Sequence, residues 1–296
     1  MPARMRQALL APGWYGRRVP RACIIGLGVI GGSWAGALSR RGWTVWAVET
    51  EQASLDLAIQ RGWVTTGFHE VPPCLDVDLV VIALPLPAMV EGFIALQGRL
   101  IPGAIVTDVG SIKGDICARA QSLLGEEVHF IGGHPMAGSE KSGFAVADEK
   151  LFNGFPYALI NCGEKTEPLE RLTGLIQSFG AKVVFRDQQK HDAEVALVSH
   201  IPHLLAVGLA LAAAGSDGDP ASLQLAGRSF RDITRIADSS PEMWQEIMVK
   251  NREAILKGLA CWQSQLDKLT AYVQRADGEG IAEAFRQAHH VRSMLE

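Results

Sequence analysis

The sequence lacks an excess of positive charge. Its 28 lysine and arginine residues are outnumbered by 32 aspartate and glutamate residues, so the formal net charge is −4. Proteins that bind nucleic acid or anionic lipid usually carry a basic stripe or patch, and no such stripe is visible along this chain. We therefore expect neither nucleic acid nor a membrane among its partners.

Cysteine is sparse and long apolar runs are missing. The five cysteines form no CxxC pair and no histidine/cysteine cluster at metal spacing, which predicts no metal site and buried, reduced thiols in a cytoplasmic protein. The longest apolar run, Leu204 to Ala214, has 11 residues, whereas a membrane-spanning helix needs about 20. The first 20 residues lack a convincing apolar core and cleavage site, so we expect residues 1–20 to be a disordered or surface-docked tail.

The sequence does contain a strand, a glycine-rich turn and a helix in that order. Ala22 to Ile25 is apolar, and GLGVIGG follows at 26–32. In dinucleotide-binding folds such glycines permit the tight turn (Gly26), the approach of a pyrophosphate (Gly28) and close packing of helix on strand (Gly31). The cofactor-binding residues expected here are Gly26, Leu27, Gly28, Val29, Ile30 and Gly31.

An acidic residue ends the next predicted strand. Thr44 to Val48 is that strand, and Glu49 follows it, 18 residues after Gly31. A carboxylate at this place can accept hydrogen bonds from both ribose hydroxyls and would repel a 2′-phosphate, so the pattern favours NAD over NADP as cofactor. The alternative is a solvated charge at the end of a strand.

Strands and helices alternate as far as about residue 187. The continuous apolar run Leu79 to Leu84 is typical of a parallel strand buried on both faces, and the LPLP that ends it would place Leu84 and Pro85 over the dinucleotide. Val128 to Ile131 predicts a later strand, which leads to His134. The pattern predicts an α/β fold, a Rossmann-like, doubly wound, mostly parallel sheet over 21–187.

From Gln188 onward the strand signals stop and apolar residues recur at helical spacing. Ser240 and Pro241 are typical of a helix start, and a long helix is expected from there to about Val273. A polar stretch, Ala276 to Gly280, is expected to break it before a short terminal helix. The second domain, 188–296, is therefore predicted to be all helical. Its apolar faces exceed the needs of its own core, which suggests a homodimer through this domain.

Three sets of polar residues could converge on a cofactor at the carboxyl edge of the sheet. Ser111 and His134 follow neighbouring predicted strands, but Ser111 could instead cap the helix after it. His200 and His203 lie three apart, on one face of a helix that Pro202 would disturb; they could equally fill a polar interface. The third set occupies a loop-like segment, where arginines are usually solvated: Arg228, Arg231, Asp232 and Arg235.

Five motifs give the chain a resemblance to a known family. From about Arg21 to the last long helix, the sequence resembles the prephenate and arogenate dehydrogenases of tyrosine biosynthesis. The motifs that carry the resemblance are GLGVIGGS (26–33), TDVGSIKG (107–114), GGHPMAGSEKSG (132–143), SHIPH (199–203) and FRDITRIADSSPEMW (230–244).

The resemblance implies a reaction and a set of roles. The substrate would be a cyclohexadienol with a ring carboxylate, whose C4 carbon gives hydride to NAD⁺ while the ring loses CO2. His134 would take the hydroxyl proton, and Ser111 would hold the hydroxyl and orient the histidine. Substrate contacts are implied for Arg235, Asp232, His203, His200, Trp244, Ser139 and Glu140, with Arg235 on the ring carboxylate, Asp232 orienting it and His200 behind the pocket wall.

Two other functions fit parts of the pattern. β-Hydroxyacid dehydrogenases of the 6-phosphogluconate type share a glycine-rich domain and a helical domain, but they use a lysine in the helical domain, and none lies between Glu194 and Ala214. A sensor that binds NAD without catalysis would not need His134, Ser111 and Arg235 together. The choice between prephenate and arogenate stays open at this level.

Overall fold

A single sheet organises the part of the chain from Arg21 to Arg186. The structure is a computed structural model that describes Trp14 and residues 19–114, 116–138, 141–163, 166–215 and 220–295. Its eight strands are β1 (Arg21–Ile25), β2 (Thr44–Val48), β3 (Thr66–Phe68), β4 (Leu79–Ile82), β5 (Ile105–Asp108), β6 (His129–Pro135), β7 (Pro156–Asn161) and β8 (Lys182–Arg186). The short strand β3 had no counterpart in the prediction.

The strand order is β3-β2-β1-β4-β5-β6-β7-β8. All neighbouring pairs are parallel except β6 and β7, which run antiparallel. The chain moves outward from β1 first in one direction and then in the other, which leaves a crevice at the carboxyl ends of the central strands. The predicted doubly wound, mostly parallel sheet is confirmed.

The carboxyl ends of the central strands lie side by side. Ile25 pairs with Ile82, and Ile82 pairs with Asp108, so the turns that follow β1, β4 and β5 share one edge. Strand β6 runs beyond its prediction because β7 continues to pair with it, His134 lying opposite Ala158. The expectation that His134 follows its strand was therefore wrong: it lies within the strand.

Helices cover both faces of this sheet. They are α1 (Val29–Ser39), α2 (Gln52–Gln60), α3 (Met89–Leu96), α4 (Ile116–Leu124) and α5 (Thr166–Ser178). Trp34 of α1 is fully buried and meets the rings of Phe152, Tyr157 and Phe179 at centroid distances of 5.0–6.1 Å. Aromatic clusters of this kind bury large apolar areas in defined geometry, so α1 and its glycine-rich turn are held rigidly on the sheet.

Helices form the rest of the chain from Gln188 onward, as predicted. This part is called the helical half below, and the part that ends with β8 is called the sheet half. They are α6 (Gln188–Val195), α7 (Ile201–Ala214), α8 (Arg228–Thr234), α9 (Pro241–Lys250), α10 (Arg252–Gln274) and α11 (Gly278–Ser293). A π-helical turn, Ala196–His200, joins α6 to α7. Pro202, which lacks an N–H to donate, lies in the first turn of α7, so the predicted local disturbance is confirmed.

Three local expectations in the helical half need correction. The segment expected to be loop-like is helical, as α8 and the 3-10 turn Arg235–Asp238. The long helix capped by Ser240 breaks at Asn251, whose side chain bonds away from the helix. The last helix begins inside the predicted break, because the Asp277 side chain accepts from the Gly280 amide and caps it.

One helical stretch is longer than the apolar run seen in the sequence. Gln188–Ala214 spans 27 residues with a mean hydropathy of 1.9 in its most apolar window, which is long and apolar enough to cross a membrane by length and composition alone. This is weak support for a membrane span, because a helix that packs inside a helical domain meets the same criteria. The expectation of no membrane partner stays a prediction.

The cysteines differ in part from expectation. Cys117 of α4 and Cys162 after β7 form a disulfide, their Cα atoms lying 5.5 Å apart. Cys23 is buried, whereas Cys74 and Cys261 are exposed. The prediction of buried, reduced thiols was therefore wrong for Cys117 and Cys162, which the fold brings together from 45 residues apart in sequence, and for Cys74 and Cys261, which lie at the surface. Of residues 1–20 only Trp14, Val19 and Pro20 are described, and Trp14 is buried on Trp43.

The glycine-rich turn requires its glycines sterically. Gly26 has a φ of +94°, a conformation that L-residues with a Cβ rarely adopt. A Cβ on Gly31 would lie 1.9 Å from the carbonyl oxygen of Gly26. The predicted close packing of this helix on the strand turn therefore has a direct structural basis.

We expect Gly31→Ala to destabilise the protein by about 1–3 kcal/mol, because the turn must move to admit the methyl group. Gly174→Ala in α5 is a matched control, since no atom lies within 4 Å of its added Cβ and alanine is the better helix former. Thermal unfolding should give a lower Tm for the first variant and an equal or higher Tm for the second. Equal Tm values for Gly31→Ala and wild type would contradict the contact.

Candidate active site

The glycine-rich turn fits a dinucleotide phosphate. Gly28 is the N-cap residue of α1, and no side chain among the described residues caps this helix end. No atom lies within 4 Å of a Cβ built on Gly28, so a ligand can approach the backbone there. The unpaired amides and the positive end of the helix dipole together favour an anion.

The carboxylate of Glu49 shapes the same turn. Its Oε2 accepts from the Leu27 amide at 2.7 Å, and its Oε1 accepts from the Glu51 amide at 3.0 Å. Glu49 is therefore tied to the backbone beside the proposed ribose position rather than freely solvated. Leu84 and Pro85 follow β4 at the adjoining edge, where α9 packs against the turn Leu86–Ala88. The cofactor roles of these residues stay predictions.

His134 is buried near the carboxyl end of β6, and β4 and β5 separate its strand from β1 and the glycine-rich turn. Its Nδ1 lies 2.9 Å from Nε2 of His191, a residue of α6. Burial is the main reason why the pKa of His134 lies well below its ordinary value. The electrostatic influence of the neighbouring His191, Lys113 and His200 lowers the pKa further. The imidazole is therefore neutral at physiological pH, which is the form that can accept a proton.

A buried ion pair fixes the strand that carries His134. Lys113 Nζ binds the carboxylate of Asp108 and donates to the carbonyl of Gly133 at 2.6 Å. Asp108 also accepts from the Gly133 amide at 3.0 Å and the Gly110 amide at 2.8 Å. Both side chains are fully buried. The pair thus clamps the backbone directly before His134 with groups that satisfy one another.

Asp192 links the two halves of the chain. Its Oδ1 lies 2.8 Å from His191 Nδ1 and accepts from the Lys113 amide at 2.8 Å, while Oδ2 accepts from the Gly114 amide at 2.7 Å. Burial alone would raise the pKa of Asp192, but these hydrogen bonds outweigh it and hold the pKa below its usual value. The carboxylate is therefore ionised.

The network continues into the helical half. Asn251 Nδ2 donates to the backbone oxygen of Asp192 at 2.9 Å and to His200 Nδ1 at 3.1 Å. The His203 ring stacks on Trp244 at a centroid distance of 3.8 Å, and His200 meets the same indole edge-on. Burial lowers the pKa of His200 to about 4. These aromatic rings form one wall next to the buried histidines.

The remaining predicted residues are less closely tied to this network. Ser111 is half-buried after β5 and has no hydrogen bond to His134, whose Nδ1 His191 occupies. Arg235 is exposed on a turn that packs against α7. Asp232 pairs with Arg228 at 3.4 Å, not with Arg235 as expected, because the helix places them four residues apart on one face. Ser139 and Glu140 lie outside the described residues.

Five residues of the network were missed by sequence reasoning: Asp108, Lys113, His191, Asp192 and Asn251. Lys113 lies inside the TDVGSIKG motif, five residues after Asp108, but no local pattern there indicates a buried ion pair. The adjacent pair His191-Asp192 offered only a weak signal. In the described part of the chain, no group of three or more His, Cys, Asp or Glu residues is arranged to hold a metal ion.

Comparisons with known proteins agree along most of the chain. The family model for the prephenate dehydrogenase nucleotide-binding domain matches residues 34–185, and that for the prephenate dehydrogenase dimerization domain matches 187–287. A prephenate dehydrogenase of Bacillus subtilis (strain 168) is 33% identical over 283 residues, which covers 92% of this chain and 75% of the relative.

Two solved structures are similar over nearly the full length. Synechocystis arogenate dehydrogenase superposes with a TM-score of 0.82 at 30% identity, covering 93% of this chain and 100% of that one. A prephenate dehydrogenase from A. aeolicus in complex with hydroxyphenyl propionate and NAD⁺ superposes with a TM-score of 0.86 at 27% identity, covering 95% and 100%.

Proposed function

Because this chain belongs to the prephenate dehydrogenase family, we propose that it catalyses the NAD-dependent oxidative decarboxylation of prephenate, arogenate or both, in tyrosine biosynthesis. Prephenate would give 4-hydroxyphenylpyruvate, and arogenate would give tyrosine. The observation that carries the proposal is a buried, neutral His134 near the carboxyl edge of the same sheet that carries, after β1, a glycine-rich turn whose uncapped helix end fits a dinucleotide phosphate.

His134 supplies the base that the reaction needs. Bound NAD⁺ would be the hydride acceptor. When the carbon that carries the hydroxyl gives up a hydride, the hydroxyl becomes a carbonyl and its oxygen must release a proton. His134 takes that proton at Nε2, a nitrogen without a hydrogen bond to the described residues. The proton returns to the phenol oxygen once loss of CO2 makes the ring aromatic. Ser111 holds the same hydroxyl in this proposal.

The helical half supplies the substrate pocket. A planar guanidinium can bind both oxygens of a carboxylate, and we assign this role to Arg235. The stacked rings of His203 and Trp244 line the pocket near the substrate side chain, with His200 behind them. The Trp244 Nε1 is buried and has no hydrogen-bond partner among the described residues.

The first experiment follows NADH formation at 340 nm with purified protein, NAD⁺ and either prephenate or arogenate. Turnover of at least one substrate is the expected result, and the pattern assigns the preference. Binding of NAD⁺ without turnover of either compound would overturn the proposal and favour a sensor.

We expect His134→Asn to lower kcat by about two to four orders of magnitude, because the general base is lost. KM for the substrate should change little, because asparagine keeps a polar group at the Nδ1 position facing His191 and the substrate carboxylate and side chain are bound elsewhere in the proposed pocket. Steady-state kinetics on the purified variant measures both constants. Turnover close to that of wild type would remove His134 from the mechanism.

We expect Arg235→Gln to raise KM for the substrate by about tenfold or more through loss of a charge-assisted contact. Arg228→Gln is the matched control, because Arg228 is 94% exposed and pairs only with its helix neighbour Asp232 in the described structure. Saturation curves for both variants provide the comparison. An unchanged KM in Arg235→Gln would contradict the carboxylate assignment.

We also propose a homodimer through the helical half. Large apolar side chains are exposed along α7, α10 and α11, among them Leu211, Leu256, Val273, Phe285 and Val291. Exposed apolar surface of this extent is typical of an interface, and an interface also explains the apolarity of the Gln188–Ala214 stretch without a membrane.

We further propose a cytoplasmic location, where NAD is available in solution. The disulfide between Cys117 and Cys162 is the observation against this location, because disulfides are rare in cytoplasmic proteins.

Sedimentation should find wild type at twice the 31.9 kDa of one chain. Leu211→Glu should shift the protein towards monomer, because a carboxylate would be buried without a partner. Ile59→Glu is the control, since Ile59 is an exposed apolar residue of α2 in the other half. A monomeric wild type would end the dimer proposal.

A further inference from the structure

The residue that faces the base belongs to the helical half. We propose that His191, itself held by Asp192, is a positioning residue that fixes His134 with its Nε2 lone pair available to the reacting hydroxyl. This inference rests on the proposed function, because it takes His134 as the base. It adds a task for two residues that the mechanism above leaves unused.

The three side chains form a linear series. His134 Nδ1 lies 2.9 Å from His191 Nε2, and His191 Nδ1 lies 2.8 Å from Asp192 Oδ1. All three residues are buried, and the more exposed of the His191 and Asp192 side chains, that of Asp192, is 13% exposed. Water therefore competes little with these hydrogen bonds, and each atom must find its partner within the protein.

The partners of Asp192 decide where the protons are. Both carboxylate oxygens accept backbone amides, from Lys113 and Gly114, so the atom that faces His191 is an acceptor. His191 must then donate from Nδ1, and as a neutral imidazole it offers a lone pair at Nε2. His134 donates its Nδ1 proton to that lone pair. The second nitrogen of His134, Nε2, is left as the proton acceptor.

The same series helps His134 once it has taken the proton. The imidazolium keeps its Nδ1–H bond to His191, and the ionised Asp192 lies one ring further on. The other charged or titratable groups near the base do not offer this help: Lys113 is occupied by Asp108 and Gly133, and His200 accepts from Asn251. A hydrogen-bond acceptor behind a catalytic histidine holds the neutral ring in one tautomer and stabilises the imidazolium that forms when the ring takes a proton.

Two substitutions at one position separate the proposal from a packing role. Glutamine can place an oxygen near the position of Nε2 and accept from His134, whereas asparagine reaches only towards Asp192. We expect His191→Asn to lower kcat by about 10- to 100-fold with KM and NAD⁺ affinity nearly unchanged, and His191→Gln to recover most of that loss. Equal losses in both variants, or none in His191→Asn, would overturn the proposal.

The double variant His134→Asn/His191→Asn supplies an independent measurement. If His191 acts through His134, the double variant is no slower than His134→Asn alone. Multiplied losses would show a separate role for His191 and overturn the proposal. An active wild type that is disabled by His134→Asn but indifferent to His191→Asn would reject this inference alone, whereas an inactive wild type would reject the proposed function.

Discussion

The site depends on the hydrogen bonds that the ionised carboxylate of Asp192 accepts from the sheet half and from His191. Asp192 lies on the first helix of the helical half, yet both of its carboxylate oxygens accept hydrogen bonds from backbone amides of the turn after β5 in the sheet half. Hydrogen bonds to a buried charge are stronger than neutral ones, and leaving such a charge unpaired is costly. Docking of the two halves and formation of the histidine series are therefore parts of one event.

The buried pair of Lys113 and Asp108 plays the complementary part inside the sheet half. It ties the end of β5 to the backbone of Gly133, one residue before the base. Lys113 thus contributes its side chain to one clamp and its backbone amide to the other. The strand that carries His134 and the helix that carries His191 are positioned from the same short turn, which limits their relative movement.

Much of the fold could be predicted from local patterns. The glycine spacing at 26–31 and the apolar run at 79–84 placed the central strands, and the Ser240-Pro241 pair marked a helix start that the structure has. The resemblance named the base. The extension of β6 could not be predicted, because it depends on pairing with β7. The His134–His191 contact joins residues 57 apart, and no local pattern in the sequence encodes such a distance.

The exposed and buried polar residues differed in how well they could be assigned. A charge on a helix surface, such as Asp232, takes whichever partner the helix repeat offers, so its pairing follows from secondary structure that was itself wrongly expected to be a loop. A buried histidine such as His200 has few possible partners, but these are known only once the fold is known.

The π-helical turn Ala196–His200 has a consequence for the phase of the helix that contains it. A π-turn holds one residue more than a regular turn, and one residue corresponds to about 100° of rotation around a helix axis. Everything after the turn is rotated by that angle relative to everything before it. The extra residue lets His191 and Asp192 face the sheet while His200 and His203 still face Trp244. Removal of one residue from this turn would therefore rotate one of the two histidine sets away from its partners, whereas a change of side chain within the turn would leave their relative phase unchanged.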